Sequence, residues 1–559
     1  SILLKKEFEP ILLDQRVVKN ARFILQKVPL AERIYASIKL QGKNTLDSFF
    51  LTNVIDTDAH PYFLNKQNNE EPLNGIPGLF TKVGYESFFM EESIKRSKES
   101  TKDDWVYGKS DDPNEARIDP DVLHSEIEQL YIAEFISYWS KLYNDIQIAG
   151  FNNFEQGVEM LEILAGSNSA LLSALDAINV NTDLRNKPNA LQQLGGNLKK
   201  MGKLGKKAAK TNAAKSDIPL TPVGKELRSH FSKLIGLSET VDGKPPGITR
   251  YLTSLAKLQE YLGELSTAPE PDSAAHQASI SRLNTNGKDI IGKLQRDSKR
   301  LPKPINNWIT SINQSSWKNM LNASRRHINK QWDDLVLNRY NQSIKNRYPV
   351  YKSSSQQTSL EDFSDFFSPD GVYQSFIKQN IAPFISVSRT KWQLKSIEGN
   401  NIGFSQQTLR QLRRGDTIGK AFFPKGAESV GVKFQLKPSQ LDAKVKRFTM
   451  LLDDEKVIYR HGPTRTTSHA WPFTDDPASS KVSIKFETNG NKADMQNKGT
   501  WAFFQLLDAS KVKSAGGGDA FKVTFSVDGY EAKFGLKANS TINPFNLTEM
   551  HAFRCPEKL

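Results

Sequence analysis

Residues 521–536 read FKVTFSVDGYEAKFGL, and this stretch decides how the C-terminal part of the chain folds. Apolar residues occupy every second position between Phe521 and Val527, so they share one face of an extended strand. Asp528-Gly529 is typical of a two-residue type I′ turn, and residues 530–536 then supply the returning strand. The stretch therefore predicts an antiparallel hairpin with one face buried and one face in water.

The same two-residue period recurs along the chain after about Pro383. Residues 432–437 and 482–487 each alternate apolar and polar side chains. At least one helix interrupts the strands, from Gln406 to about Ile418. Half-buried antiparallel strands of this kind pack as two sheets, so residues 384–559 are predicted to form a β-sandwich-like domain.

The preceding two-thirds of the chain has the period of helices. Asp119 and Pro120 fit the N-cap and first position of a helix that carries Phe135 and Trp139. A second helix carries Leu161 and Leu164 and ends at Gly166, with Ser167 or Asn168 as the predicted cap of its successor. Further helices are predicted over residues 17–28, 248–265 and 305–335. Apolar residues at this spacing are typical of amphipathic bundle helices.

Residues 195–215 interleave glycine with lysine, and four prolines follow between 219 and 246. This composition predicts a flexible connection. We therefore divide the chain into a helical domain (1–180), a Gly/Lys/Pro-rich connection (181–246), a second helical domain (247–383) and the β domain (384–559). Helices first and strands afterwards define a multidomain α+β protein.

Composition narrows the class of protein. The chain has 559 residues, a formal net charge of +14 and 1 cysteine. A single cysteine excludes an internal disulfide and a cysteine-based zinc site. No run of about 20 apolar residues predicts a membrane span. The chain starts at Ser1 rather than at a methionine, so we expect it to be a piece of a longer protein.

Several short patterns are reminiscent of enzymes, but each is incomplete. Residues 415–421 have the wrong glycine spacing for a phosphate loop, and Ala421 stands where a magnesium-binding hydroxyl is required. His461 and His469 flank a Gly-Pro turn without further metal ligands. Cys555 is more typical of a small buried hydrophobe than of a nucleophile. We predict no catalytic, cofactor-binding or metal-binding residue, and therefore no enzyme.

The lysine-rich residues 195–215 are the best candidate for contact with nucleic acid, because lysines collect phosphates without regard to sequence. The stretch contains no aromatic residue on which a base could stack. A solvated loop is favoured, and an anionic envelope surface suits it as well as nucleic acid does. No specific nucleic acid is predicted as a partner.

The last residues of the chain are unusually apolar for a terminus. Phe545, Phe553 and Cys555 are residue types that prefer burial, so this tail is predicted to dock on a folded domain. We interpret it as the closing segment of the β domain. On that interpretation, its removal would loosen the β domain and leave the helical part intact.

A series of motifs runs in order along nearly the whole chain. They are built from Gly, Pro and aromatic residues, which set turns and fill cores. They are Pro77-Gly78-Leu79-Phe80-Thr81, Trp105-Val106-Tyr107-Gly108, Arg347-Tyr348-Pro349, Tyr459-Arg460-His461-Gly462-Pro463, Trp471-Pro472, Gly499-Thr500-Trp501-Ala502, Asn543-Pro544-Phe545 and Phe553-Arg554-Cys555-Pro556. Together they resemble the C-terminal region of the IcmF/TssM proteins of bacterial type VI secretion.

The resemblance implies the periplasmic part of an inner-membrane protein that is anchored through a segment outside this chain. It implies a structural scaffold and channel wall that spans the periplasm. The implied partners are an outer-membrane lipoprotein, TssJ, the inner-membrane protein TssL and further copies of the chain. Docking is expected within residues 384–559, without identified contact residues. Two alternatives remain open: a module that binds the cell wall, and non-specific nucleic-acid binding through residues 195–215.

Overall fold

The computed structural model describes residues 28–67, 73–99, 119–186, 218–388, 391–424, 429–516, 520–540 and 542–559, with Arg16, Asn20 and Ala427 besides. Contacts group the chain into an N-terminal unit (1–267 with 288–319) and a C-terminal unit (268–287 with 320–559). The first is helical and the second combines helices with antiparallel sheets, which confirms the α+β class. The division into four segments stays a prediction. The helix expected over 17–28 (except Asn20 and Val28), the motif at 105–108 and the lysine run 195–215 lie outside the described residues.

The longer helices up to residue 331 follow in chain order. They are α1 (Leu30–Thr45), α2 (Met90–Glu99), α3 (Pro120–Asp145), α4 (Phe154–Ala165), α5 (Ala170–Thr182), α6 (Pro222–His230), α7 (Ser232–Ser238), α8 (Thr249–Thr267), α9 (Pro271–Asn284), α10 (Ile290–Ser298) and α11 (Lys303–Gln331). Short turns at Leu51–Asn53, Thr57–Tyr62, Gly78–Phe80, Lys82–Gly84 and Tyr85–Phe89 join some of them. The strands β1 (Phe63–Asn65) and β2 (Ile146–Ile148) pair antiparallel. The helices α6 and α7 occupy part of the segment that the sequence predicted as a connection.

Side-chain caps explain where several helices begin. Asp119 accepts a hydrogen bond from the backbone N–H of Asp121 at the start of α3, which confirms the predicted cap. The cap of α5 was predicted wrongly. It is Ser169, which accepts from the N–H of Leu172, rather than Ser167 or Asn168. Ser169 also donates to the carbonyl of Leu164, so its position depends on the preceding helix.

The core of the N-terminal unit forms around the aromatic face of α3. Tyr131 donates a hydrogen bond to the carbonyl of Leu79 (3.0 Å), and the Trp139 indole donates to that of Phe80 (2.9 Å). Both side chains are buried, and their rings lie near Phe80 and Phe135. The motif at residues 77–81 is therefore a folding element that α3 holds from one side.

The segment Phe154–Thr182 has the length and apolar composition of a membrane-spanning helix. The structure divides it at Gly166 into α4 and α5, of 12 and 13 residues. Each is about 20 Å long, shorter than the roughly 30 Å of a bilayer's hydrocarbon core. Leu161, Leu164 and Leu175 are buried within the unit, so these are core helices.

The C-terminal unit continues with α12 (Asn338–Ser343), α13 (Leu360–Phe367), α14 (Val372–Phe376), α15 (Gln406–Phe422), α16 (Ala502–Asp508) and α17 (Thr548–Ala552). Its strands are β3 (Ile385–Val387), β4 (Trp392–Leu394), β5 (Val432–Leu441), β6 (Arg447–Leu452), β7 (Glu455–Tyr459), β8 (Thr467–Trp471), β9 (Lys481–Glu487), β10 (Lys492–Lys498), β11 (Lys511–Ser514), β12 (Ala520–Val527) and β13 (Tyr530–Ala538).

Two antiparallel sheets form the sandwich. One has the strand order β10-β9-β6-β7 and the other β11-β12-β13-β5-β8. Phe448 of the first sheet lies 5.2 Å from Phe534 and 6.0 Å from Phe525 of the second, measured between ring centroids. Asp528 and Gly529 both have positive φ between β12 and β13, which confirms the predicted hairpin turn.

Gly84 tests the tight turn that begins the helical core. A Cβ atom there would lie 2.0 Å from the carbonyl oxygen of Gly78, so we expect Gly84→Ala to lower the free energy of unfolding by about 2 kcal/mol or more. Gly236 in α7 is the matched control, because nothing lies within 4 Å of a Cβ there. We expect Gly236→Ala to be neutral or to stabilise by about 0.5–1 kcal/mol. Urea unfolding measures both, and equal effects of the two substitutions would contradict this account.

Candidate docking domain

An aromatic cluster around Trp501 holds the helices of the C-terminal unit against its sandwich. The Trp501 ring lies 4.9 Å from Trp471 of β8 and 5.1 Å from Phe363 of α13, between ring centroids. Its indole N–H donates to the carbonyl of Thr358 (2.8 Å). Phe422 and Phe504 complete the cluster, and all of these aromatic side chains are buried. The motifs at 471–472 and 499–502 therefore belong to the core.

Residues 543–559 pack on two different partners. Phe545 lies among Phe434, Phe503 and Phe504, which belong to the sandwich and to α16. Phe553 instead contacts the rings of Tyr340, Phe367 and Tyr373, which belong to α12, α13 and α14. The beginning of the tail thus closes the β domain as expected. The expectation that the helical part is independent of the tail is wrong, because Phe553 packs on helices that precede residue 384.

Hydrogen bonds hold the end of the tail to α11 and the turn that follows it. The indole of Trp332 donates to the carbonyl of Pro556 (2.7 Å). The N–H of Leu559 donates to Asn329 Oδ1 (2.8 Å), and Arg325 donates to the carbonyl of Leu559 (3.2 Å). Backbone groups at the end of the tail thus find partners on helical side chains. This end belongs to the helical layer of the unit, a name we use for α11 to α14 and the turn after α11.

Cys555 lies within this packed tail, as predicted. The side chain is buried, and burial raises the pKa of its thiol well above the usual range. A raised pKa disfavours the nucleophilic thiolate. The guanidinium of its neighbour Arg554 lies over the ring of Tyr351, 4.1 Å from the centroid.

The glycines of residues 415–421 lie inside α15, so they form no phosphate loop. A Cβ atom on Gly415 would come within 2.4 Å of the Tyr373 ring, and one on Gly419 within 2.5 Å of the Gln374 amide. Tyr373 also donates to the carbonyl of Leu412 (2.8 Å). The glycines therefore permit α14 to approach α15 closely.

The two histidines singled out in the sequence make separate local contacts. His461 bonds the carbonyl of Val445 (2.7 Å), while His469 pairs with Glu455 and lies 2.7 Å from the Thr467 hydroxyl. Across the described part of the chain, no cluster of three or more His, Cys, Asp or Glu residues has the arrangement of a metal site.

Asp508, at the end of α16, accepts several hydrogen bonds within the C-terminal unit. Tyr348 donates to it (2.8 Å), Lys352 Nζ lies 3.1 Å away and His551 Nε2 lies 3.5 Å away. Burial by itself raises the pKa of Asp508, but the hydrogen bonds and positive charges of these neighbours outweigh it and hold the pKa below its usual value. The Asp508 carboxylate thus links α16 to α17 and to the segment that contains Tyr348 and Lys352. We call this set of contacts the polar junction.

Three family models match the chain in order. Residues 2–183 match the IcmF-related model ("Intracellular multiplication and human macrophage-killing"), residues 323–428 the type VI secretion protein IcmF helical domain and residues 434–540 the type VI secretion protein IcmF C2-like domain. The chain belongs to the IcmF/TssM family. The helical-domain model covers the last turns of α11 through α15, and the C2-like model covers the sandwich.

One related protein and two solved structures are similar to this chain over nearly its whole length. The type VI secretion system component TssM1 of Pseudomonas aeruginosa is 26% identical over 570 residues, which cover 100% of this chain and 50% of that protein. The chain thus spans about half the length of this relative. A chain of a "Type VI secretion system membrane core complex" superposes with a TM-score of 0.67 over 95% of this chain and 99% of that one, at 16% identity. A "Type VI membrane complex" chain gives 0.63 over 95% and 98%, also at 16% identity. At this identity the two structures establish a shared fold.

The outward face of the four-stranded sheet carries an apolar pair that the sequence analysis missed. Leu451 of β6 and Ile458 of β7 are 39% and 45% exposed. Leu451 lies opposite Lys456, two residues from Ile458, so the two apolar side chains are diagonal neighbours on one face. The signal was present in the sequence, since Met450-Leu451-Leu452 and Val457-Ile458-Tyr459 break the apolar–polar alternation.

Phe553 tests whether the tail supports the helical layer. Its side chain is fully buried, so we expect Phe553→Ala to lower the free energy of unfolding by about 3–5 kcal/mol and to speed hydrogen exchange in α13 and α14. The exposed Lys558 is the control, and Lys558→Ala should change stability by less than about 0.5 kcal/mol. Faster exchange confined to the sandwich strands would contradict this assignment.

Asp508 tests the polar junction. We expect Asp508→Asn to lower the free energy of unfolding by about 1–2 kcal/mol near neutral pH, because Tyr348 and Lys352 lose a charged acceptor. The pKa of Asp508 is depressed in the folded state, so its contribution is present above the unfolded value of about 4 and is lost as pH falls through the folded value.

The difference in the free energy of unfolding between the wild type and Asp508→Asn should therefore become smaller as the pH is lowered below about 4. Urea titrations at several pH values measure this difference. Asp494→Asn, at an exposed position on β10, is the control and should leave stability almost unchanged. A difference that is constant from neutral to acid pH would contradict the role of the charge.

Proposed function

We propose that this chain is a structural component of a type VI secretion membrane complex and has no enzymatic activity. The observation that carries the proposal is the ordered match of three IcmF models along one chain. The fold shared with a chain of a "Type VI secretion system membrane core complex" supports it. The local contacts of Cys555, His461 and His469 support a structural role, since each side chain is used in packing or turn geometry.

In this proposal the chain is the periplasmic part of an inner-membrane protein and forms part of the wall of a trans-envelope channel. The helices supply length, since each residue adds about 1.5 Å along a helix axis. Further copies of the chain and the inner-membrane protein TssL are the proposed partners within the complex. The anchor is proposed to lie outside this chain.

The second part of the proposal places the outer-membrane lipoprotein TssJ on residues 384–559. We propose the outward face of the four-stranded sheet as its location, and the exposed pair Leu451 and Ile458 supports this choice. Neighbouring exposed apolar side chains within a polar surface are typical of the anchor residues of protein interfaces. Arg447 and Glu487 form an ion pair on the same face and supply a polar rim.

Substitution of the apolar pair tests this docking site. We expect the chain to bind the soluble domain of its cognate lipoprotein with a stoichiometry of about one to one, and Leu451→Asp with Ile458→Asp to raise the Kd by at least about tenfold. Isothermal titration calorimetry measures both quantities.

Val387 provides a matched control, because it is 56% exposed in the same unit but lies outside both sheets of the sandwich. Val387→Asp should leave the Kd unchanged. Equal binding by the wild type and both variants would refute the proposed patch but not the docking. Absence of binding by the wild type would refute the docking itself.

A further inference from the structure

The outward face of the five-stranded sheet is rich in lysine and carries almost no acidic side chain. The strand registers and the alternation of buried positions place seven lysines and a single carboxylate, Glu531, on this side. The lysines, which we call the lysine face, are Lys433, Lys437, Lys511, Lys513, Lys522, Lys533 and Lys537. All but the half-buried Lys533 are exposed. The inward positions of the same strands hold the buried side chains of the sandwich core.

The register brings several of these charges close together. Lys513 lies directly opposite Lys522. Lys522 is opposite Gly535, and Gly535 is opposite Lys437, so three lysines lie in one row across four strands. Like charges directly opposite each other destabilise a sheet. This arrangement therefore favours a function that requires the positive charge over a role in stability.

Described acidic side chains form no ion pair with the three lysines of this row. In the described part of the chain, Lys433, Lys437, Lys511, Lys513 and Lys522 form no ion pair. Lys533 donates a hydrogen bond to the neutral side chain of Gln440 (3.0 Å). The outward face of the sheet thus has a positive electrostatic potential. An anionic ligand would lower the repulsion between the lysines.

The remaining outward side chains indicate what kind of anion fits. They are small or neutral, and within the described strands this face carries no aromatic residue and no arginine. Examples are Gln435, Thr524, Ser526 and Gly535. Bases of single-stranded nucleic acid need aromatic rings for stacking, and protein interfaces rely on Trp, Tyr and Arg as anchors. A face about 20 Å wide whose only cationic groups are ammonium groups matches a broad, diffuse layer of negative charge.

We propose that the lysine face binds the surface of a bilayer that contains anionic phospholipids. Each lysine near such a surface contributes an attraction that depends on the negative surface potential and falls off within a Debye length. The apolar pair Leu451 and Ile458 lies on the other sheet, so a membrane surface and a protein partner use opposite sides of the sandwich. The proposal does not depend on the role in secretion.

Vesicle flotation with the whole chain tests this inference. The wild type should bind phosphatidylcholine vesicles that contain about 30 mol % phosphatidylglycerol, bind pure phosphatidylcholine vesicles poorly, and dissociate as salt is raised. The test variant combines Lys433→Gln, Lys437→Gln, Lys513→Gln and Lys522→Gln. We expect it to require at least about tenfold more anionic lipid for half-maximal binding.

A second variant has the same change in net charge on the opposite sheet. It combines Lys456→Gln, Lys481→Gln, Lys492→Gln and Lys498→Gln, all at exposed outward positions. This control should bind anionic vesicles nearly as well as the wild type. Both variants should keep the wild-type circular dichroism and a Tm no lower than that of the wild type, since the substituted side chains are solvent-exposed and each variant loses a pair of opposed lysines.

Four outcomes would overturn the inference. The first is a wild type that fails to bind anionic vesicles. The second is an equal loss of binding by both variants, which would assign vesicle binding to net charge. The third is a loss of binding by neither variant, which would assign it to other lysines. The fourth is that an acidic polypeptide or DNA, added as a competitor, displaces the chain from the vesicles. This result would indicate a macromolecular partner instead of a bilayer. Lipoprotein binding is measured separately, so none of these results bears on the proposed docking.

Discussion

The burial of Trp501 is the interaction on which the C-terminal unit depends. Its ring is shared between a strand of the sandwich and the helix that carries Phe363, and its indole N–H is bonded to the backbone at Thr358. A buried aromatic side chain of this size removes about 150–250 Å² from water. The helical layer and the sandwich therefore cannot separate without exposing the whole cluster. This constraint joins the helical layer and the sandwich in one unit, residues 268–287 with 320–559, although two family models divide its helices from its sandwich.

The packing of the tail also links the sandwich to the helices. Phe545 packs with the sandwich and α16, while Phe553 packs with helices, so a short segment touches both parts of one core. Asp508 adds a polar junction between the same parts through Tyr348 and His551. The two outward faces of the sandwich differ in their side chains. One carries an apolar pair and the other the lysine face.

Much of this architecture was predictable because it depends on neighbours in the sequence. The alternation in residues 521–536 specified a hairpin, and its turn has the expected positive φ at Asp528 and Gly529. Asp119 was recognisable as a cap because Pro120 follows it. The cap of α5 was not, since Ser167, Asn168 and Ser169 are all suitable residues. The choice of Ser169 depends on its second hydrogen bond, to Leu164 in the preceding helix.

Local sequence was thus sufficient for the fold class, for long helices such as α3 and α11 and for the hairpin of β12 and β13, because periodicity, caps and turn residues act over a few positions. The family followed from the resemblance of an ordered series of motifs. The partners of the tail, the close approach at Gly415 and the composition of the outward faces required tertiary structure. Lys437 and Lys513 are 76 positions apart, yet strand order and register place them in one row. The physical reason is that pairing between distant strands depends on burial of the whole core, which no local pattern encodes.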